Sequence, residues 1–268
     1  MYGGLSQGYQ DQHNDNRLYG KTFMSIDEDL IIKNKSYYTS GSLGFNYVFN
    51  DRHSVGATYE VNINPYSRGG WNSLMDVWKN GSKTESYTND MYCRFKSRPT
   101  QDITAYYAGQ IGKVSIEWNG EIYLRKTGQT QYSEETGMEG GDSRTIESDF
   151  TADSWMHASK LVLSFPVWKG TLKIGNEFTE SCRANLYTID EQGTDLPGKT
   201  DDQVEESNLA AFVSYRLRLN KVELNAGLRY EHVSSNYYNT GGDYWSEENK
   251  DYFVPNQSRK YDHFFPNV

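Results

Sequence analysis

Residues 209–230 read LAAFVSYRLRLNKVELNAGLRY. Leu209, Ala211, Val213, Tyr215, Leu217 and Leu219 lead into Val222, Leu224, Ala226, Leu228 and Tyr230. Between them fall Arg216, Arg218, Glu223, Asn225 and Arg229, with Glu231 one residue further on. Alternation with a period of two is a strand with one apolar and one polar face. Two such runs that meet at Asn220-Lys221 form an antiparallel hairpin. The register that keeps both apolar sets on one side sets Arg218 across from Glu223 and Arg216 across from Asn225. A close Arg218–Glu223 pair on the polar face is therefore expected.

The same grammar recurs upstream. Ser42–Asn50 and Ser54–Asn64 alternate Leu43, Phe45, Tyr47 and Phe49, then Val55, Ala57, Tyr59, Val61 and Ile63, with Val48 a lapse. Placing Asn50 opposite Ser54 predicts Tyr47 across from Ala57 and Phe45 across from Tyr59. Another hairpin turns at Gly112-Lys113, where a leading glycine suits a type II′ turn. It pairs Ile111 with Val114, Tyr107 with Trp118 and Ile103 with Ile122, and leaves Glu117, Asn119 and Glu121 on the other face. A weaker one turns near Trp168-Lys169-Gly170, between Leu161, Leu163 and Phe165 and Leu172, Ile174 and Phe178.

Long polar stretches, approximately 65–101, 126–156, 180–207 and 234–260, separate these hairpins and read as loops. The first holds Trp71 and Trp78, and the last holds Tyr244 and Trp245. Two readings stand for these aromatics: a surface that stacks on a substrate, or side chains that pin long loops together. The other loops are acidic, with Glu134, Glu135, Asp149 and Asp153 in the second and Asp201, Asp202, Glu205 and Glu206 in the third. No carboxylate spacing matches a calcium loop, so they read as solvated charge. The acidity, with a net charge of −9, argues against a nucleic-acid partner, which needs a basic footprint.

Short turns at one rim and long connections at the other describe an up-and-down antiparallel transmembrane β-barrel. No apolar run approaches the ~20 residues of a spanning helix. Membrane strands need only every second residue apolar, so a mean hydropathy of −0.82 does not exclude membrane insertion. The alternating segments run longer than ordinary sandwich strands of ~5–6 residues. They reach the ~9–11 that cross a bilayer core. The expected fold is all-β, a partial barrel of about eight or nine strands by this reading. Residues 1–36 form an N-terminal segment, the end of a preceding strand, and 37–268 form the barrel domain.

Cys93 and Cys182 follow no spacing rule and read as incidental thiols, with a disulfide the alternative. His157 and Ser159 near Asp153 lack any nucleophile motif and read as chance neighbours. With no catalytic, metal or cofactor motif, the chain is read as a non-enzyme without cofactors. The amino terminus has no signal-peptide pattern. An exported protein needs one, so the chain is expected to be a fragment.

The segments 206–215 and 219–231, with GLRYE at 227–231 and the aromatic-Phe-Pro opening at 264–266, resemble TonB-dependent receptors. The likeness is greatest to the Bacteroidota branch called the outer membrane protein β-barrel family. Residues 43–47, 53–56, 106–113 and 116–120 are similar as well. The resemblance implies a 22-stranded barrel with an N-terminal plug and a bacterial outer-membrane location. It also implies contact with outer-membrane lipid, coupling to a periplasmic TonB complex through a plug this chain lacks, and import of an unidentified scarce nutrient. No ligand residue carries over from the family; in a barrel Arg216, Arg218, Glu223, Arg229 and Glu231 line the lumen, and Trp71, Trp78, Tyr244 and Trp245 are candidate substrate contacts on their own chemistry. Two alternatives remain: a complete small barrel with adhesive or structural loops, and a soluble carbohydrate-binding sheet.

Overall fold

A computed structural model of the protein describes residues 2–18, 24–96, 99–138, 143–191, 199–239 and 256–267. They form one antiparallel sheet of 11 strands. In chain order these are β1 (Tyr2–Leu18), β2 (Met24–Asn50), β3 (His53–Lys79), β4 (Ser82–Phe95), β5 (Thr100–Ile111) and β6 (Val114–Gly137). There follow β7 (Ser143–Val167), β8 (Gly170–Glu191), β9 (Lys199–Leu219), β10 (Val222–Asn239) and β11 (Asn256–Asn267).

Each strand pairs with its sequence neighbours, with one exception. The lower half of β3 pairs with β5 and its upper half with β4. β6 divides in the same way, Val114–Arg125 against β5 and Gln129–Gly137 against β4. β4 and β5 are thus collinear and fill one position between β3 and β6. The break falls at Pro99, which has no N–H to give a ladder. Lys96 N–H donates to the Gly128 carbonyl at 2.7 Å and bridges the gap. Among the described residues β1 pairs only with β2 and β11 only with β10, so the sheet has two free edges.

Asp51-Arg52, Gly112-Lys113, Trp168-Lys169 and Asn220-Lys221 all turn the chain at the same rim. Gly112 has φ +62 and Lys113 does not share the positive sign, as a II′ turn requires. The pairings expected for the second and fourth hairpins hold throughout. The first hairpin is offset by two residues from the expected register: Tyr47 faces Val55 and Phe45 faces Ala57. Asn50 pairs with His53 rather than Ser54, which is one residue of the offset, and an irregularity at Phe49, between Val48 and Asn50, adds the second. Because a shift of two preserves the side-chain parity, the apolar face stays intact.

The larger correction concerns the expected loops. Most of their residues continue the strands, which run to 27 residues in β2 and β3. The extra pairs raise the strand count from the expected eight or nine to 11. A further tight turn at Asn80-Gly81, with φ +53 and +80, splits the first of these stretches into the upper part of β3 and β4. Both positive φ values are those of a type I′ turn. These extensions escape a period-two reading because neither of their faces carries a sustained apolar set. Backbone ladders need no apolar face, only partners. β1 and the first part of β2 lie within residues 1–36.

The described residues enclose no hydrophobic core. Among the described residues the buried apolar side chains are Cys93, Ala152, Val162 and Ala210. The apolar alternating set is exposed instead: Leu43 is 78%, Phe45 63%, Leu224 56% and Leu228 45% accessible. The two cysteines are free thiols. An apolar set exposed in this way across neighbouring strands marks a surface that meets lipid or a partner.

That face has a sharp upper limit. On β6 the set Val114, Ile116, Trp118, Ile122 and Leu124 gives way to Lys126 and Thr130. On β9 the set from Leu219 up to Leu209 gives way to Ser207 and Glu205. Both bands match the ~9–11 residues that cross a bilayer core. Within the band the one indole N–H on β6 is satisfied, since Trp118 Nε1 donates to Ser159 Oγ at 3.0 Å. Just above it, Lys126 meets Asp153 at 2.8 Å and Lys96 meets Asp149 at 2.8 Å on the same face.

Those ion pairs make the upper sheet acid-sensitive. The Lys96 ammonium and the Thr130 hydroxyl hold the Asp149 carboxyl below its ordinary 3.8. Lys83 and Ser86 do the same for Asp76. A depressed folded-state value stabilises the fold fully above the unfolded value and is lost as pH falls through the depressed one. Hydrogen-exchange protection of β4 and of the upper parts of β3, β6 and β7 is therefore expected to drop as pH falls below 3.8. Protection of the apolar-band strands should persist there. Uniform loss along each strand would contradict this assignment.

Candidate functional site

The polar face carries the candidate site, and the register explains its layout. Asn119, Lys160, Glu177, Ala210 and Glu231 lie side by side on β6, β7, β8, β9 and β10. Arg229 sits two residues below Glu231, across from Phe212, which in turn faces Gly175. Ala210, 1% exposed, is small enough for Glu177 and Arg229 to reach over it. Glu177 accepts from Lys160 Nζ at 2.5 Å and from Arg229 Nη1 at 2.5 Å, and Arg229 Nε donates to Glu231 Oε1 at 2.5 Å. Two cations and two anions thus form a neutral network that spans the width of β7 to β10.

Phe212 fixes the floor of this network. A Cβ on Gly175 would fall 2.4 Å from its ring, so glycine is required for the aromatic to lie flat there. Lys160 Nζ stands 5.8 Å from the same ring, within cation–π range. Beside the network a groove of about 460 Å³ is lined by Thr104, Tyr106, Asn119, Glu121, Lys160 and Glu177. Tyr106 donates to Asn46 Oδ1 at 2.6 Å and leans over Gly56.

Two further groups lie above and below. Near the short-turn rim Arg218 Nε meets Glu223 at 3.0 Å and Arg216 Nε meets it at 3.3 Å. The expected Arg218–Glu223 pair is therefore present. These side chains are half exposed or more, and such surface pairs contribute about 0–1 kcal/mol. Towards the opposite rim a second groove of about 450 Å³ is lined by Met75, Glu85, Tyr87, Asn89, Glu135 and Arg144. Arg144 Nε closes on Glu135 at 2.6 Å, and Ser133 Oγ donates to Asn89 Oδ1 at 2.8 Å.

Arg216, Arg218, Glu223, Arg229 and Glu231 share one face by register. Lys160 and Glu177, which complete the network, escaped the sequence reading because β7 and β8 break alternation at Val162 and Asn176. Trp71 and Trp78 lie in β3 rather than in a loop. They are seven residues apart along one strand and so point to opposite faces. A single ligand cannot stack on both. Trp71 shares the polar face with Met75 at the upper groove. Tyr244 and Trp245 lie outside the described residues. The sequence neighbours Asp153, His157 and Ser159 share the apolar face and serve separate contacts: Asp153 with Lys126, His157 edge-on to Phe178, and Ser159 with Trp118.

A family profile described as outer membrane protein beta-barrel family matches residues 109–268. Among solved structures, the outer membrane protease OmpT from Escherichia coli is 12% identical with a TM-score of 0.26, over 98% of this chain and 93% of that one. The ferric yersiniabactin uptake receptor FyuA from Yersinia pestis is 10% identical with a TM-score of 0.42. That match covers 98% of this chain but 43% of FyuA, so the chain spans less than half the receptor's length. The translocator domain of the autotransporter NalP from Neisseria meningitidis is 10% identical with a TM-score of 0.24, over 97% and 85% of the two chains. A comparison with curated proteins gave no match.

Proposed function

This chain belongs to the outer membrane protein beta-barrel family, and on that premise we propose that it is barrel wall from a TonB-dependent receptor that imports a scarce nutrient. The outer-membrane location turns the exposed apolar band into the lipid-facing surface and the polar face into the lumen. The observation that carries the transport reading is the pair of free edges. Neither β1 nor β11 pairs with the other among the described residues. A sheet with a lipid-facing band must satisfy the backbone groups of both edges, and further strands would do so. A wide barrel with room for a plug meets that need.

In this reading the wall performs no covalent chemistry. Its inner face offers a substrate two grooves of mixed polar and apolar lining, one near the long-connection rim and one beside the Lys160–Glu177–Arg229–Glu231 network. The neutral network fixes the spacing of β7 to β10 and presents charges already paired, so a passing solute meets little net field. Energy arrives through a periplasmic TonB complex acting on a plug. A self-contained small barrel would instead require β1 to hydrogen-bond to β11.

Uptake measurements test the reading. A strain without the gene is expected to grow normally in rich medium and to fail on one limiting nutrient. Uptake of that nutrient by the parent should stop when the inner-membrane proton gradient is collapsed. Uptake unaffected by the collapsed gradient, or unimpaired growth on every limiting source, would contradict coupled import.

A further inference from the structure

Each of the four turns that share one rim carries a cation at its second position: Arg52, Lys113, Lys169 and Lys221. All are exposed, and among the described residues none of them forms an ion pair. Asp51 is the one carboxylate within these turns. Successive turns are two strands apart, which spaces the cations about 10 Å along the rim. Just inside it Lys173, Arg216 and Arg218 add positive charge, with Glu223 as counterion.

The apolar band begins directly beside this ring. Ile111, Val167 and Val222 flank the turns and are 62%, 43% and 55% exposed. The cations therefore stand where hydrocarbon ends and headgroups begin. Trp168 is 77% exposed and held at φ +51, a conformation a bulky side chain adopts only under constraint. Tyr215 Oη donates to the Val167 carbonyl at 3.0 Å and Arg218 N–H to the Lys169 carbonyl at 3.1 Å, which supplies that constraint. The Lys169 ammonium lies 5.8 Å from the indole ring. Indoles settle at the membrane–water interface, and amines at that depth meet phosphate.

We propose that the short-turn rim is a binding surface for anionic phospholipid headgroups of the leaflet it faces, with Arg52, Lys113, Lys169 and Lys221 as phosphate contacts and Trp168 as the interfacial anchor. The alternative occupant is an acidic protein segment. Lipid is favoured because the ring is continuous with a surface that lipid already covers. The inference rests on the membrane location and is independent of the transport reading.

Native mass spectrometry of the chain in maltoside micelles doped with phosphatidylglycerol or phosphatidylcholine tests it. The protein is expected to retain phosphatidylglycerol in preference to phosphatidylcholine, and to release it as salt is raised. The variant R52N/K113N/K169N/K221N should lose that preference, at about fivefold per cation removed. A Lys79→Asn variant at the opposite rim should keep it. Equal retention of both lipids by the parent, or full retention by the fourfold variant, overturns the proposal. Displacement of the lipid by an equal concentration of inorganic phosphate or of an acidic peptide also overturns it, in favour of those ligands. The salt titration needs no substitution, so a variant that fails to fold leaves the proposal testable.

Discussion

Ala105→Arg is expected to destabilise the protein in a bilayer by about 2–4 kcal/mol, while Thr104→Arg, one residue away, is expected to be nearly neutral. The two positions are adjacent on β5 and differ only in face. Ala105 follows the apolar set of Ile103 and Tyr107 and lies near mid-band, where a guanidinium must be taken into hydrocarbon. Thr104 lies on the polar face directly across from Glu121, so a new cation there gains a partner. Urea-titrated refolding into lipid vesicles measures the difference. On a soluble sheet the order would vanish, because a half-exposed alanine facing water accepts arginine without penalty. Equal effects at the two positions would therefore remove the lipid-facing assignment.

The second large effect is expected at Glu177. It accepts from both Lys160 and Arg229, and its side chain is only 26% exposed. Glu177→Ala should cost about 2 kcal/mol, because hydrogen bonds to charged groups are strong and two partly covered cations lose their shared anion. The coupling is the sharper test. In a double-mutant cycle, Glu177→Ala made in an Arg229→Ala background should cost about 1 kcal/mol less than in the parent. Strict additivity would show that the two side chains do not depend on each other. The surface pair Arg218–Glu223, at 71% and 49% exposure, should show almost no coupling in the same assay.

How much of this was legible depended on what each face touches. Where one face meets lipid and the other water, chemistry differs at every second residue. The hairpin at Asn220-Lys221 could therefore be read down to its Arg218–Glu223 contact. Above the band both faces meet water. Nothing in the residue types of 126–137 or 143–154 distinguishes a paired strand from a loop, and the extensions of β6 and β7 were missed. The exception was readable: Asn80-Gly81 is a strong hairpin signal, hidden here among aromatics that suggested a binding loop. The two-residue register offset in the first hairpin was invisible because a total shift of two leaves face parity unchanged. Lys160 and Glu177 were legible as charges but not as partners, since Val162 and Asn176 interrupt the alternation that would pair their strands, and the reach from Glu177 on to Arg229 depends on small Ala210 on the strand between those two.

The most direct test of the lipid-facing band is a nitroxide scan along β10, residue by residue from Val222 to Tyr230, with the protein in a bilayer. Val222, Leu224, Ala226, Leu228 and Tyr230 should be accessible to oxygen dissolved in the lipid and shielded from a water-soluble relaxant. Glu223, Asn225, Gly227 and Arg229 should show the reverse, giving a clean period of two. Contradiction would be an apolar set that neither reagent reaches, as in a packed protein interior, or one that the aqueous reagent reaches freely.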